Sequence, residues 1–249
     1  MRATVRRWYS EPALVEAMFA LRPVGADAAA PDLDSDGIDA MRQRLRGFRT
    51  APQQLAANAP VSRYEALGDD AGDGPTRLCL WNDERNRAVQ FGPGVCAFNV
   101  LAPYGHYEDH LPSLQRLTQT YLEVANLPDG LDCSQRYLNV FDLLLAEHAD
   151  ELFSFYPPLP APLIAKHIHV AVHVEAVEFE NGDCTVHLWR GTAGATHVDY
   201  RLEVVSRSRH PVAADTEALL QWQQRAHQAV NRAFEMSITP ACRKRLREL

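Results

Sequence analysis

Twice along this chain a run of alternating apolar and polar residues gives way to a long apolar stripe at helical spacing. That order constrains the fold more than any single residue does. A period of two implies strands with one covered face, and a period near 3.6 implies a helix with one face to bury. The first alternating run comprises residues 77–81, 87–91 and 95–101, separated by the polar stretch 82–86 and by Gly92-Pro93-Gly94. Its helical stripe is Tyr107, Leu111, Leu114, Thr118, Tyr121 and Ala125, stopped by Pro128-Asp129-Gly130. The second run comprises 135–145, 166–180, 183–189 and 196–205, with turns at Asn181-Gly182 and 191–195. Its stripe is Leu219, Trp222, Ala226, Val230 and Ala233, within a helix predicted over 215–236. Ser237-Ile238-Thr239-Pro240 ends that helix and starts a short one over 240–248.

The flanking segments fit the same plan. Residues 15–21 read as a first strand ending at Arg22-Pro23, and 36–48 as a helix carrying Met41 and Leu45 one turn apart. Residues 64–67 read as a short strand and 146–162 as a long connection. The predicted class is therefore α+β: two pseudo-repeated antiparallel meander sheets, each closed by a long helix, with the helices packed on one face. The halves are 1–130 and 131–249, packed as one compact unit. They do not match residue by residue, so the repeat is one of topology.

A chain of 249 residues, 46% apolar and 23% charged, can bury a sizeable core. Its net charge of −7 argues against nucleic acid as the main partner. Five scattered cysteines without C-x-x-C spacing suit reduced thiols better than a disulfide framework or a zinc site. No apolar run is long enough to span a bilayer, and the basic start leads into Trp8-Tyr9-Ser10-Glu11-Pro12 instead of a signal core. These features predict a soluble cytoplasmic protein.

In the 166–180 strand, Val172 and Val174 share a face and His173 takes the other, but Val177 and Phe179 reverse the parity. One extra residue restores it, which predicts a β-bulge at Glu175-Ala176. The outer face then gathers His173, Glu175, His187 and Asp199. Imidazoles and carboxylates are the donors of metal and acid–base sites, yet a polar outer sheet face also looks like this. His167-x-His169 is a second, weaker metal signal. No phosphate loop, nucleophile elbow or H-E-x-x-H helix occurs. Tyr104-Gly105-His106-Tyr107-Glu108-Asp109-His110 concentrates titratable groups at a helix start, where Glu108 and Asp109 suit the helix dipole. Arg136 and Asn139 interrupt an apolar strand. Buried, they need partners, and the carboxylate of Glu16 suits Arg136. His227 lies at the edge of the second helical stripe, one turn before Asn231.

Three ordered blocks resemble a sporadically distributed bacterial protein family of unknown function. Residues 12–22 resemble its opening P-x-x-V-E-A-x-F-x-x-R strand, and Arg136-Tyr137-Leu138-Asn139 its central R-Y-x-N strand. Trp222, Ala226-His227, Phe234 and Ile238-Thr239 resemble its closing W-x-x-x-A-H…F…I-T helix. The resemblance implies a common fold and the importance of these positions, and no activity. The expected function is a non-catalytic binding or partner protein of a bacterial multi-protein system. A ligand or peptide would lie between the halves, against Glu16, Arg136, Asn139 and His227, without a cofactor. The alternative is a metal-assisted hydrolase using His173, Glu175, His187 and Asp199.

Overall fold

The computed structural model describes residues 9–24, 35–45, 47–48, 53–56, 76–92, 95–125, 130–145, 147–157, 170–180, 182–194 and 196–248. Among these residues nine strands follow in chain order: β1 (Leu14–Pro23), β2 (Gln53–Ala56), β3 (Thr76–Trp81), β4 (Arg87–Gly92), β5 (Val95–Leu101), β6 (Leu131–Leu144), β7 (Ala171–Phe179), β8 (Gly182–Ala193) and β9 (His197–Arg207). They form a single sheet in the order β2-β3-β4-β5-β1-β6-β9-β8-β7, with every neighbouring pair antiparallel. The protein is α+β, but the two expected sheets are joined. The joint is β1 against β6, paired from Leu14↔Asn139 to Pro23↔Leu131. Left apart, these strands would each carry a row of unpaired N–H and C=O groups at the middle of the molecule; pairing satisfies both rows.

Within each half the first strand pairs with the last: β1 with β5, and β6 with β9. The β2 strand was not anticipated, because Pro52 reads as a stop. The expected strand at 64–67, the Pro93-Gly94 tip and His167-x-His169 lie outside the described residues. The expected turn at 191–195 begins later, since β8 runs on to Ala193 with a register shift after Arg190.

Among the described residues five α-helices accompany the sheet: α1 (Ser35–Arg44), α2 (Leu111–Val124), α3 (Ala149–Leu152), α4 (Thr216–Ser237) and α5 (Pro240–Arg245). A 3-10 turn, Tyr107–Asp109, leads into α2. The α4 start is capped by Asp215, whose carboxylate accepts the Ala218 N–H at 2.8 Å, and α5 by Thr239 in the same way at 3.2 Å. Leu219, Trp222, Ala226, Val230 and Ala233 are all buried, as the stripe requires.

The α4 helix does not close its own half alone. At 1.5 Å per residue it is about 33 Å long, long enough to cross several strands. Its first turns place Leu219, Trp222 and Ala226 in a core with Phe19, Phe91, Phe98, Leu117 and Tyr121. Its later turns place Val230 and Ala233 in a second core with Tyr137, Phe141, Phe153, Leu188 and Leu202. The Trp222 ring lies 6.3 Å from that of Phe19 on β1. All five cysteines are buried, and none is in a disulfide. Burial pushes the Cys133 and Cys242 thiols up to about 12. Among the described residues no helix is long and apolar enough to cross a membrane.

The hairpin of β7 and β8 contains the expected bulge, displaced by two residues. Pairing runs regularly from Ala171↔Trp189 to Ala176↔Cys184, then shifts before Phe179↔Gly182. Glu178 takes a left-handed backbone (φ 60°), and its N–H donates to the Asp183 carboxylate at 3.1 Å. Gly182 is required here, because a Cβ would stand 2.6 Å from the Arg207 carbonyl oxygen.

Since Trp222 fills the contact between α4 and β1, Trp222→Ala is expected to cost about 3–5 kcal/mol of folding stability. Denaturant unfolding checks this; a loss below about 1 kcal/mol would place little of the core's energy at that contact.

Candidate functional site

Directly paired residues of antiparallel strands point to the same face, so the registers sort the polar groups. Phe19, Tyr137, Val204 and Val186 face the helices. Glu16, Arg136, Glu203 and His187 face the other way. Each face of the two central strands carries its own polar system.

On the face away from the helices a row of polar side chains crosses seven adjacent strands. Gln90 on β4 donates to Asn99 on β5, and Asn99 donates to Glu16 on β1 at 2.5 Å. Glu16 accepts from Arg136 on β6 at 3.2 Å, and the Arg136 Nε lies 3.3 Å from a Glu203 carboxylate oxygen on β9. Glu203 stands directly across from His187 on β8, and His187 across from His173 on β7, with ring centroids 5.7 Å apart. His173 meets Glu175 at 3.0 Å. The row runs from buried to open: the Glu16 side chain is 1% exposed, Arg136 12%, Glu203 25% and His173 55%. The expected Glu16–Arg136 pair is present, and it spans the joint between the halves.

The open end has further members on the same face. Trp189 lies beside His187 with ring centroids 4.7 Å apart, and across from Arg201. Arg201 contacts Asp199 at 3.2 Å. That pair lies against Gly191, where a Cβ would come within 2.7 Å of either Asp199 carboxylate oxygen. Asp199 is therefore held with Arg201, four residues along β9 from Glu203, and not with His173, Glu175 and His187. Among the described residues no three His, Cys, Asp or Glu side chains gather in a metal-holding group. Burial lowers the His187 imidazole below its usual range, opposed by the neighbouring Glu203.

On the helix face the Tyr137 hydroxyl meets His227 Nδ1, and His227 Nε2 lies 3.1 Å from the Asn231 amide nitrogen. The Tyr107 ring stacks on His227 at 3.8 Å and 9°. Tyr107 also donates to Gln223, which donates to Gln135 at 3.2 Å. The Tyr104 and Tyr137 hydroxyls lie 3.2 Å apart. One arrangement uses each donor once: Asn231 donates to Nε2, Nδ1–H to Tyr137, and Tyr137 to Tyr104. Burial raises the Tyr137 phenol well above its usual range and pushes Tyr104 up to about 12, so both stay protonated donors near neutrality. His110 Nε2 contacts the Tyr104 carbonyl at 2.6 Å, and burial lowers its imidazole below the usual range.

Glu16, Arg136 and His227 are thus each engaged by partners within the chain. Asn139 is buried and donates to the Leu202 carbonyl at 3.2 Å, which anchors β6 to β9. Glu203, Gln90 and Asn99 are the members of the row that sequence reasoning missed. The aromatic members of the helix-face system had a signal in the sequence, the tyrosine- and histidine-dense stretch 104–110. Only the fold brings that stretch to His227. A cleft of about 370 Å³ lies elsewhere, within the first half, between Phe48, Ser113 and the β3–β4 hairpin residues Asn82 and Arg87.

No family model matches the chain, and no curated protein matches it.

Removing one member of a buried ion pair leaves the other charge without its partner. Arg136→Met is expected to cost about 3–5 kcal/mol, and Glu16→Leu combined with Arg136→Met less than the sum of the singles. Equilibrium unfolding of the four proteins of the cycle checks this. Exact additivity would show the pair uncoupled.

The folded-state His110 pKa lies below its unfolded value, so the unfolded chain binds more protons between the two. The neutral imidazole's contribution is full above about pH 6.5 and is lost as pH falls below it. The stability lost between pH 7 and pH 5 is expected to be smaller in His110→Gln than in wild type. Equal losses would remove His110 from the acid response.

Proposed function

We propose that this chain is a non-catalytic binding protein of a bacterial multi-protein system. On this reading its partner, a protein segment or small ligand, is recognised on the sheet face away from the helices, where the row that starts at the joint between the halves opens on β7–β9. The observation that carries the reading is the polar row. It is locked at its buried end by Asn99, Glu16 and Arg136, and it opens at Glu203, His187 and His173 beside Trp189 and Arg201. A recognition surface held by its own hydrogen bonds and ion pairs loses little freedom on binding, which favours affinity. A half-buried tryptophan beside an arginine is the side-chain pair enriched at the energetic centres of interfaces.

The topological repeat belongs to the same reading. Reversing the strand order about the β1–β6 joint exchanges β5 with β9, β4 with β8 and β3 with β7. We read the molecule as two copies of one plan, with β2 added at one edge. Residues of the three sequence blocks meet in the fold: Glu16 of the first contacts Arg136 of the second, and Tyr137 of the second contacts His227 of the third. Localisation in the cytoplasm is part of the proposal and is supported by five buried thiols, none in a disulfide.

Affinity capture from the native host followed by mass spectrometry tests the function, with Trp189→Ala and Arg201→Glu beside wild type. The expected result is a set of proteins or ligands held by wild type and reduced at least about tenfold by either variant, equivalent to about 1.4 kcal/mol. Identical captures by all three proteins would place binding elsewhere.

A further inference from the structure

The β7 strand ends the sheet among the described residues, with β8 on its one paired side. Edge strands are usually protected by charged side chains, above all lysine, or by proline, short length or a β-bulge; β7 has its bulge only at its far end, after Ala176. From residue 171 to residue 177 the sequence is Ala-Val-His-Val-Glu-Ala-Val, with no lysine, proline or glycine. Two of its valines are open to solvent, Val174 at 41% and Val177 at 67%.

We propose that β7 pairs antiparallel with β7 of a second copy of this chain, about a twofold axis through Val174. The pattern of hydrogen-bond donors and acceptors carries the choice of partner. In an antiparallel pair centred on Val174, His173 of each copy stands opposite Glu175 of the other. The two side chains already share a face and meet at 3.0 Å within one chain. The twofold axis creates two such cross-strand pairs, and the four groups close a ring of alternating partners. On the opposite face Val174 meets Val174, and Val172 meets Ala176, so the exposed Val174 is covered by its own copy. Neighbouring registers lose this match. Centring on Glu175 sets two carboxylates against each other, and centring on His173 sets imidazole against imidazole while separating both His–Glu pairs.

The bulge limits the contact. Regular pairing of β7 stops at Ala176, and the left-handed Glu178 bends the strand away. Five residues of each copy, 172–176, are therefore available. Because the contact is isologous, it uses both β7 edges and closes at two copies. A perpendicular twofold axis keeps the helices of both copies on one side and makes the polar face continuous across them. This inference shares His173 with the partner-binding reading, but its test reads self-association of the chain and not capture of a partner.

Sedimentation equilibrium of the full chain at high micromolar concentration tests it. Wild type is expected to be dimeric, and Val174→Lys and His173→Glu to weaken dimerisation at least about tenfold with unchanged circular dichroism melting. The reciprocal variant His173→Glu with Glu175→His restores the opposed pairs and is expected to restore the dimer. A monomeric wild type, single variants that dimerise like wild type, or a reciprocal variant that stays monomeric would each overturn the proposal.

Discussion

The pairing of β1 with β6 is the constraint on which the rest of the structure depends. It joins β2–β5 on one side and β7–β9 on the other into one sheet, nine strands wide among the described residues. It gives α4 a surface wide enough to bury a stripe that runs from Leu219 to Ala233 across both cores. It also puts Glu16 and Arg136 side by side. If the halves were separate sheets, the carboxylate and guanidinium would lie on two bare edges, in reach of water. Joined, they lie near the middle of a continuous sheet, where each is tolerable only because the other is there.

Strand β6 serves both faces by its alternation. Arg136 points to one side and meets Glu16 and Glu203, while Tyr137 points to the other and meets His227 and Tyr104. Adjacent residues thereby anchor two systems that never touch. One is ionic and opens toward β7. The other is a chain of neutral donors and acceptors that begins at the exposed Asn231 and passes inward through His227. The R-Y-x-N segment holds these two and Asn139, which ties β6 to β9.

What could be read from the sequence was what depends on local periodicity. The strands of the meanders, the buried stripe of α4 and the presence of a bulge all follow from residues close together in the chain. The partner chosen for Arg136 was also legible, since a buried guanidinium needs a carboxylate and Glu16 lies in an otherwise apolar strand. What was not legible depends on long-range pairing. Nothing in residues 14–23 or 131–144 alone says that these strands neighbour each other, so the fusion of the sheets and the straddling position of α4 stayed hidden. The bulge moved from Glu175-Ala176 to the Val177-Glu178 region because the Asp183 carboxylate captures the Glu178 N–H. That contact crosses a turn and leaves no trace in the alternation. The stretch 104–110 read as a helix start suited to a dipole; its tyrosines gain their role only when α4 brings His227 against them.

A sheet normally buries apolar side chains at its centre, because a buried polar group needs a partner. This one keeps Gln90, Asn99, Glu16 and Arg136 there instead, all in one line. An apolar centre would tolerate several registers of β1 against β6, each burying similar area. The polar line does not. A one-residue slip would turn Glu16 toward the helix face and the apolar surroundings of Trp222. A two-residue slip would keep the face but take the carboxylate away from both Asn99 and Arg136. Either leaves buried charges without partners, at a cost of several kcal/mol that no gain in apolar contact offsets. The same line that presents an open polar end at His173 and His187 thus fixes, at its buried end, which residues of the two halves meet.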